Sequence, residues 1–136
     1  MMIIIDSNIH IFSEGASAPE HARAVEKIKD AVNQGRVGIN AIIVSEVFHS
    51  LQKFLGAVEA TTRISRFLTS PDMDYLEFSP ASIVKAMALS RDFGIRINDA
   101  LIAQQAIDLG ASVLTDNVKD FKKVAAVKVI PLRSPI

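Results

Sequence analysis

The stretch MMIIIDSNIH, residues 1–10, joins an apolar run directly to three small polar residues. A short continuous run of β-branched residues such as the three isoleucines at 3–5 is typical of a strand that is buried on both faces of a parallel sheet. Asp, Ser and Asn follow at residues 6–8 without a linker. Ligands of open parallel sheets bind beyond the carboxyl ends of the strands, so Asp6 stands where a functional carboxylate is expected.

Beyond this strand, the pattern alternates between helices and strands. Apolar spacings of three and four predict helices over residues 17–33, 44–55, 58–68, 80–93 and 98–109. Short runs that are rich in β-formers predict strands over residues 75–79, 112–116 and 127–132. QGRVG, residues 34–38, is interpreted as the end of the first helix, with Gly35 as its C-cap. The alternation predicts a three-layer α/β/α sandwich with a central, mostly parallel sheet, in one domain of residues 1–136.

Composition narrows the classes of function. The 136 residues are 49% hydrophobic, which is enough to bury a substantial core. Fifteen basic and fifteen acidic side chains give a formal net charge of zero, so binding of a polyanion would need a local patch or a bound metal. The absence of cysteine excludes disulfides, zinc–thiolate sites and thiol nucleophiles. The apolar start is too short for a membrane span or a signal peptide, so we expect a cytoplasmic protein without a membrane partner.

Four acids carry the functional hypothesis. Asp6 and Asp116 each follow a predicted strand, whereas Glu46 and Asp99 lie in otherwise apolar helical segments. Taken one at a time, each acid is explained more simply as a cap, a turn residue or a helix-terminal charge. Converging buried carboxylates, however, need a compensating cation, and Mg²⁺ or Mn²⁺ prefers carboxylate oxygens. Such an ion could activate a water molecule for attack on a phosphodiester.

Four segments of the chain resemble PIN-domain nucleases, and specifically the VapC-like toxins of toxin–antitoxin pairs. The segments are IIIDSNI, VSEVFHSL, RINDALIAQQAIDLGASVLTDNVKDF and VKVIPL, which occur in family order across nearly the whole chain. The resemblance implies a metal-dependent endoribonuclease that hydrolyses RNA with a metal-activated water. It also implies a cognate antitoxin that inhibits the nuclease, and a homodimer.

By the same resemblance, Asp6, Glu46 and Asp99 look like the core acids that hold Mg²⁺ or Mn²⁺. The fourth acid departs from the family pattern, in which many members place an acid two residues after the threonine. Here Thr115 is followed by Asp116 and then by asparagine, so either Asp116 or Asp120 would supply that carboxylate. We assign Asp116 to the metal site with the core acids. The residues that we expect to orient ligands and water are Asn8, Asn98, Thr115, Asn117 and Asp120.

Two further features of the sequence could contact partners. Arg96 is the best candidate for a phosphate contact, because it lies close to Asp99 and a guanidinium suits phosphate geometry. The late lysines are read as a solvated face. The segment 44–68 could present an apolar surface to an antitoxin or to a second copy of the chain, although core packing is favoured for most of its large apolar residues, which are Phe48, Leu51, Phe54, Leu55, Phe67 and Leu68.

Other interpretations remain open at this level. Glu46 and His49 form an E-x-x-H pair of the kind found in di-iron bundles, but a second pair and four helices without a sheet are not evident. A receiver-like domain would require paired acids after the first strand. His10 and His21 are read as surface or boundary residues. A non-catalytic PIN-like module that binds RNA or protein is the alternative function.

Overall fold

The computed structural model describes residues 1–133, so the last residues of the predicted domain lie outside the described part. The strands are β1 (Met2–Ile5), β2 (Arg36–Ile39), β3 (Met73–Tyr75), β4 (Ser112–Thr115) and β5 (Lys128–Pro131). The helices are α1 (Ser7–Glu14), α2 (His21–Gln34), α3 (Ala41–Leu55), α4 (Ala57–Thr69), α5 (Pro80–Phe93), α6 (Ile97–Leu109) and α7 (Val118–Phe121).

The five strands form one sheet in the order β3-β2-β1-β4-β5, and every neighbouring pair is parallel. Side chains alternate between the two faces of β1, as the twofold period of a strand requires. Ile3 and Ile5 therefore pack against α1 and α2, whereas Ile4 packs against the layer built from α3 to α6. The predicted three-layer α/β/α sandwich with a mostly parallel sheet is confirmed.

The strand order places the polar ends of two strands side by side. From β1, the chain builds outward through β2 to β3, and it then returns to add β4 and β5 on the other side of β1. The reversal lies between β1 and β4, and ligands of such sheets bind beyond the carboxyl ends of the two strands at a reversal. We call this region of the protein the crevice. The backbone N–H of Asp6 donates to the carbonyl of Leu114 across this junction, at 2.9 Å.

Several element boundaries confirm the sequence prediction. The helix predicted over residues 80–93 is α5, which begins at Pro80 after Ser79, whose hydroxyl accepts the backbone N–H of Ser82 as an N-cap. The helix predicted over residues 98–109 is α6, and it begins one residue earlier, at Ile97. The strand predicted over residues 75–79 is wrong for most of its length, because β3 covers Met73–Tyr75 and shares only Tyr75 with it.

Three elements were not predicted: helix α1, strand β2 and the four-residue helix α7. Neither α1 nor β2 has the usual spacing signals. Helix α1 starts directly after β1 with Asp6 as its N-cap, so no linker separates the strand pattern from the helix pattern. Strand β2 begins within QGRVG, at Arg36, and runs to Ile39. The prediction that Gly35 is a helix C-cap is confirmed, but the interpretation of the rest of QGRVG as a helix end is wrong. Gly38 of β2 is needed because a Cβ there would meet Leu76 Cδ1 at 2.4 Å. Glycine weakens the sequence signal of a strand while it allows this close approach.

The fold also decides between alternatives that the sequence left open. A di-iron four-helix bundle is excluded, because the chain is built around a five-stranded sheet. Within residues 1–133, none of the helices combines the length and the apolar character that a membrane crossing demands.

Candidate active site

Asp6 is a buried carboxylate at the carboxyl end of the central strand. It is 3% exposed, and it accepts hydrogen bonds from the backbone N–H of Ser7 at 2.8 Å and from the hydroxyl of Thr115 at 2.7 Å. Burial raises the pKa of Asp6 to about 6, although these two hydrogen bonds act in the opposite direction. The negative charges of Asp99 and Glu46 raise it further. Three acids from separate elements therefore share one electrostatic environment, and we call them the acid cluster.

Polar side chains from α1 and β4 hold the first acid of the cluster in place. The amide of Asn8 donates to Asp6 Oδ2 at 3.3 Å, and the same amide lies 3.4 Å from the hydroxyl of Thr115. The side-chain oxygen of Asn8, Oδ1, accepts the backbone N–H of Asp116 at 3.1 Å. These bonds connect the ends of β1 and β4 across the crevice and place Asn8 and Thr115 beside Asp6. Their role in orienting ligands and water stays a prediction.

Glu46 enters the cluster from the second turn of α3. Its Oε1 accepts the hydroxyl of Ser7 at 3.0 Å, and its Oε2 accepts the amide of Asn98 at 3.5 Å. Helix α3 is positioned by Asn40, whose side chain caps Ile43 N–H at 2.9 Å and donates to the buried amide of Gln105 at 2.7 Å. The contact with Gln105 ties α3 to α6, the helix that carries the third acid.

Asp99 lies in the first turn of α6 and is only 2% exposed. Arg96 donates to both of its oxygens, through Nε and Nη2, at 3.3 Å each. The Nη2 of Arg96 is also 3.6 Å from Oε2 of Glu46. Asn117 donates to Asp99 Oδ2 at 3.3 Å. Asp99 and Glu46 are therefore joined by a single guanidinium.

Asp116, the predicted fourth acid, is engaged elsewhere. Its carboxylate accepts two hydrogen bonds from Arg133, at 2.9 and 3.2 Å. The same guanidinium reaches Glu20 at 3.0 Å. These bonds connect the end of β5 to the segment before α2. The backbone N–H of Asp116 supports the crevice through Asn8, while its side chain is held by this peripheral ion pair.

Asp120, the other candidate for the fourth acid, is linked to the cluster through Asn117. A hydrogen bond from Asn117 lowers the pKa of Asp120, and the nearby ammonium of Lys123, 3.3 Å from the carboxylate, lowers it further. Because Asn117 also donates to Asp99, one amide connects both acids. Asp120 therefore lies beside the residue that donates to Asp99.

The donor chemistry of the acid cluster suits a hard divalent ion, since all of its candidate ligands are carboxylate oxygens and one of the acids is costly to ionise without a nearby cation. The carboxylates, however, are not spaced as the ligands of a complete metal site are. In the part of the chain that the structure describes, no three acidic or histidine side chains are gathered closely enough to hold an ion as they stand. Arg96 and the surrounding donors take the oxygens instead.

Two residues were misjudged or overlooked in the sequence. Ser7 was not assigned a role, yet its hydroxyl orients Glu46, and its position beside Asp6 was the available signal. His10 is fully buried, so its interpretation as a surface or boundary residue is wrong. Neither ring nitrogen of His10 makes a hydrogen bond of acceptable geometry, although the nearby backbone of Ile5 favours the protonated form slightly. Its ring packs against Phe67, with centroids 5.1 Å apart.

Comparisons with known proteins agree with this architecture. No curated protein sequence matches the chain at a significant level. Among solved structures, the chain is similar to one in VapBC2 from Rickettsia felis bound to a promoter DNA fragment, with a TM-score of 0.77, 19% identity, and coverage of 96% of this chain and 98% of that chain. It is also similar to VapBC-1 from nontypeable Haemophilus influenzae, with a TM-score of 0.76, 18% identity, and coverage of 98% and 100%.

A third similar structure is VapC20 from Mycobacterium tuberculosis, described as a Sarcin-Ricin loop cleaving toxin. Its TM-score is 0.73 and its identity 14%, with coverage of 86% of this chain and 92% of that chain. At such low identities, these structures support the fold alone. The family model of the PIN domain matches residues 3–127, which include the whole acid cluster. The chain therefore belongs to the PIN-domain family.

Proposed function

We propose that the protein is a divalent-metal-dependent endoribonuclease that acts as the toxin of a toxin–antitoxin pair. The observation that carries the proposal is the convergence of Asp6, Glu46 and Asp99 at the crevice of the sheet, where burial and mutual repulsion raise the pKa of Asp6. A fold need not carry a particular activity, so the argument rests on this site. The cleaving toxin among the similar structures makes RNA the first substrate to test.

The acid cluster would hold Mg²⁺ or Mn²⁺ through carboxylate oxygens. A divalent ion at this place would lower the pKa of a water ligand and offset negative charge on the phosphodiester. Ser7, Asn8 and Asn98 would orient the acids by the hydrogen bonds that they already make. Because the chain has no net charge, the local positive charge that RNA requires would come from this ion and from Arg96.

The fourth acid of the proposed site is better supplied by Asp120 than by Asp116. Asp116 is held by Arg133 and Glu20, whereas Asp120 reaches Asp99 through Asn117. Ligation by Asp116 would require its two bonds to Arg133 to break. We therefore assign Asp116 a structural role in joining β4 to β5.

The antitoxin would bind an apolar groove of about 620 Å³ at the ends of α1 and α3. Its walls include Ile11, Phe12 and Leu55, and Phe54 beside them is 56% exposed. Most of the large apolar residues in the predicted segment 44–68 are buried or half-buried, as expected, but Phe54 and Leu68 are exposed. The proposal also includes a homodimer. It includes a cytoplasmic location, because the protein would meet RNA and the antitoxin there.

The proposal is tested by RNA cleavage with wild-type protein, Asp6→Asn and the control Asp30→Asn, which changes an exposed acid of α2. Each is assayed with Mg²⁺, with Mn²⁺ and with EDTA. We expect cleavage by wild type and control only when metal is present. Asp6→Asn should lose more than the roughly 10–100-fold that removing a supporting residue of a metal site costs. Cleavage in EDTA, or full activity of Asp6→Asn, would contradict the metal mechanism.

The alternative function, a non-catalytic module, predicts a different outcome of the same experiment. RNA would be bound but not cut by wild type, and Asp6→Asn would behave in the same way. Two features favour this alternative. Arg96 pairs with the acids, and position 117, where many family members have an acid, is an asparagine. The burial of Asp6 among other acids opposes it, because a binding module has no need for a carboxylate that is costly to ionise.

A further inference from the structure

Arg96 is the cation that the acid cluster holds in this structure. Its guanidinium bonds to both oxygens of Asp99 and lies 3.6 Å from Glu46, so it bridges two of the three acids. An arginine side chain keeps its charge at any pH at which the protein is folded. The acids are therefore partly neutralised by a group of the protein itself.

A divalent ion and the guanidinium cannot both hold these acids in the present geometry. The oxygens of Asp99 accept Arg96 and Asn117, and those of Glu46 accept Ser7, Asn98 and the edge of the guanidinium. An ion bound to the same oxygens would lie within a few ångströms of the guanidinium, where two positive charges repel each other strongly. Metal binding at Glu46 and Asp99 therefore requires Arg96 to move.

Arg96 is free to move without unfolding its surroundings. Its side chain is 66% exposed, whereas that of Asp99 is 3% exposed, so the guanidinium covers the acids from the solvent side. Arg96 is the N-cap residue of α6, but its side chain makes no capping hydrogen bond. Helix α6 would keep its first turn if the side chain turned outward.

We propose that Arg96 is an internal counter-ion that competes with the divalent metal for Glu46 and Asp99. This inference rests on the proposed metal site and assigns Arg96 a role before any substrate arrives. In the metal-free protein, Arg96 relieves the repulsion between the acids. When an ion binds, the guanidinium is released toward solvent on the side from which a phosphodiester would approach.

The first test is titration of the metal-free protein with Mn²⁺ by isothermal calorimetry, using wild type, Arg96→Gln and Arg91→Gln. Arg91 is a matched control, because it is an exposed arginine that pairs with Asp92 on α5. Removal of a competing, partly exposed ion pair should tighten Mn²⁺ binding by Arg96→Gln by roughly three- to tenfold. Arg91→Gln should bind Mn²⁺ as wild type does.

The second test separates competition from simple structural support. Arg96→Gln should lower the melting temperature in EDTA, because the acids lose their counter-ion, and it should lower it less in saturating Mg²⁺. A purely structural arginine would lower the melting temperature equally in both conditions and would not tighten Mn²⁺ binding. Lower stability in EDTA combined with tighter binding is therefore the signature of competition.

The outcomes distinguish this inference from the proposed function. Tighter binding by Arg96→Gln than by wild type supports both. Binding that is seen only in Arg96→Gln supports the counter-ion role but contradicts the metal-dependent activity proposed for wild type. If wild type binds Mn²⁺ in a manner that Asp99→Asn abolishes, but Arg96→Gln binds equally or more weakly, the counter-ion role is wrong and the metal site stands. If neither wild type nor Arg96→Gln binds Mn²⁺, both proposals fail.

Discussion

At the scale of single residues, the buried position of Asp6 disfavours its ionised form. The pKa of Asp6 is raised to about 6 by burial, and a carboxylate in this condition is easier to protonate when the chain is folded than when it is unfolded. The sequence predicts a buried strand that ends just before Asp6, and the structure confirms that strand. The partners of Asp6 in the acid cluster were harder to predict, since the bonds from Ser7 to Glu46 and from Asn117 to Asp99 join residues that are distant in the chain.

The raised pKa of Asp6 predicts how stability varies with pH in the absence of metal. The folded protein binds more protons than the unfolded chain between about pH 4 and pH 6, so stability falls as pH rises through that window. Asp6→Asn does not titrate and should remove this slope. Between pH 4 and pH 7, wild type should lose up to about 3 kcal/mol of unfolding free energy that Asp6→Asn does not lose. Urea denaturation in EDTA at both pH values measures the difference, with Asp30→Asn as the control.

The two candidates for the fourth acid differ in a way that mutation can measure. Asp116→Asn should leave RNA cleavage within about threefold of wild type, since exposed ion pairs such as that with Arg133 contribute little. Asn117→Ala should lower cleavage by about 10–100-fold, because it removes the amide that orients Asp99 and Asp120. A larger loss in Asp116→Asn than in Asn117→Ala would return Asp116 to the metal site.

At the scale of elements, local sequence signals fixed some boundaries and could not fix others. Helix α5 was predicted from Ser79, Pro80 and the apolar spacing, which are all local signals. Strand β2 was missed because Gly38 weakens its sequence signal, and that glycine is explained by a tertiary contact, the close approach of Leu76. The relative placement of α3 and α6, which brings Glu46 to Asp99, depends on a buried pair of amides that no periodicity reveals.

That pair gives a prediction about stability. Asn40 is fully buried, and it both caps α3 and bonds to Gln105. Asn40→Ala should destabilise the fold by roughly 2–3 kcal/mol, since it removes a cap and leaves the buried Oε1 of Gln105 without its donor. Ser79→Ala, which removes a cap and no tertiary bond, should cost only about 1 kcal/mol. Equal losses of unfolding free energy in the two variants would show that the amide pair is unimportant.

His10 makes the contact between α1 and α4 sensitive to acid. Burial lowers the pKa of His10 to about 4, so the unfolded chain takes up a proton below pH 6.5 that the folded protein refuses. Between pH 7 and pH 5, the protonation of His10 should therefore lower the unfolding free energy of wild type by about 2 kcal/mol. Asp6 acts in the opposite direction, because its protonation stabilises the folded protein as the pH falls. His10→Phe keeps a ring against Phe67 and should be spared that loss, whereas His49→Gln, at an exposed position, should behave as wild type. Denaturation at pH 7 and pH 5 compares the three proteins.

At the scale of the whole molecule, the zero net charge makes the acidic crevice important, because a cation bound there could attract RNA. A nuclease of this composition has no general attraction for RNA and would depend on a cation that the crevice binds. The sequence was sufficient to predict the three layers and the parallel sheet, because both follow from the alternation of elements. It was not sufficient to predict that Arg96 lies against the acids, since that contact involves α3 and α6 together.

The proposed function requires the acid cluster to bind the divalent ion on which RNA cleavage depends. Crystals grown with Mn²⁺ would locate that ion by its anomalous diffraction. We expect an anomalous peak at coordination distance from the carboxylates of Asp6 and Asp99, with the guanidinium of Arg96 turned away from Asp99. A crystal that contains Mn²⁺ at other sites, while Arg96 still bridges Asp99 and Glu46, would contradict the proposed metal site.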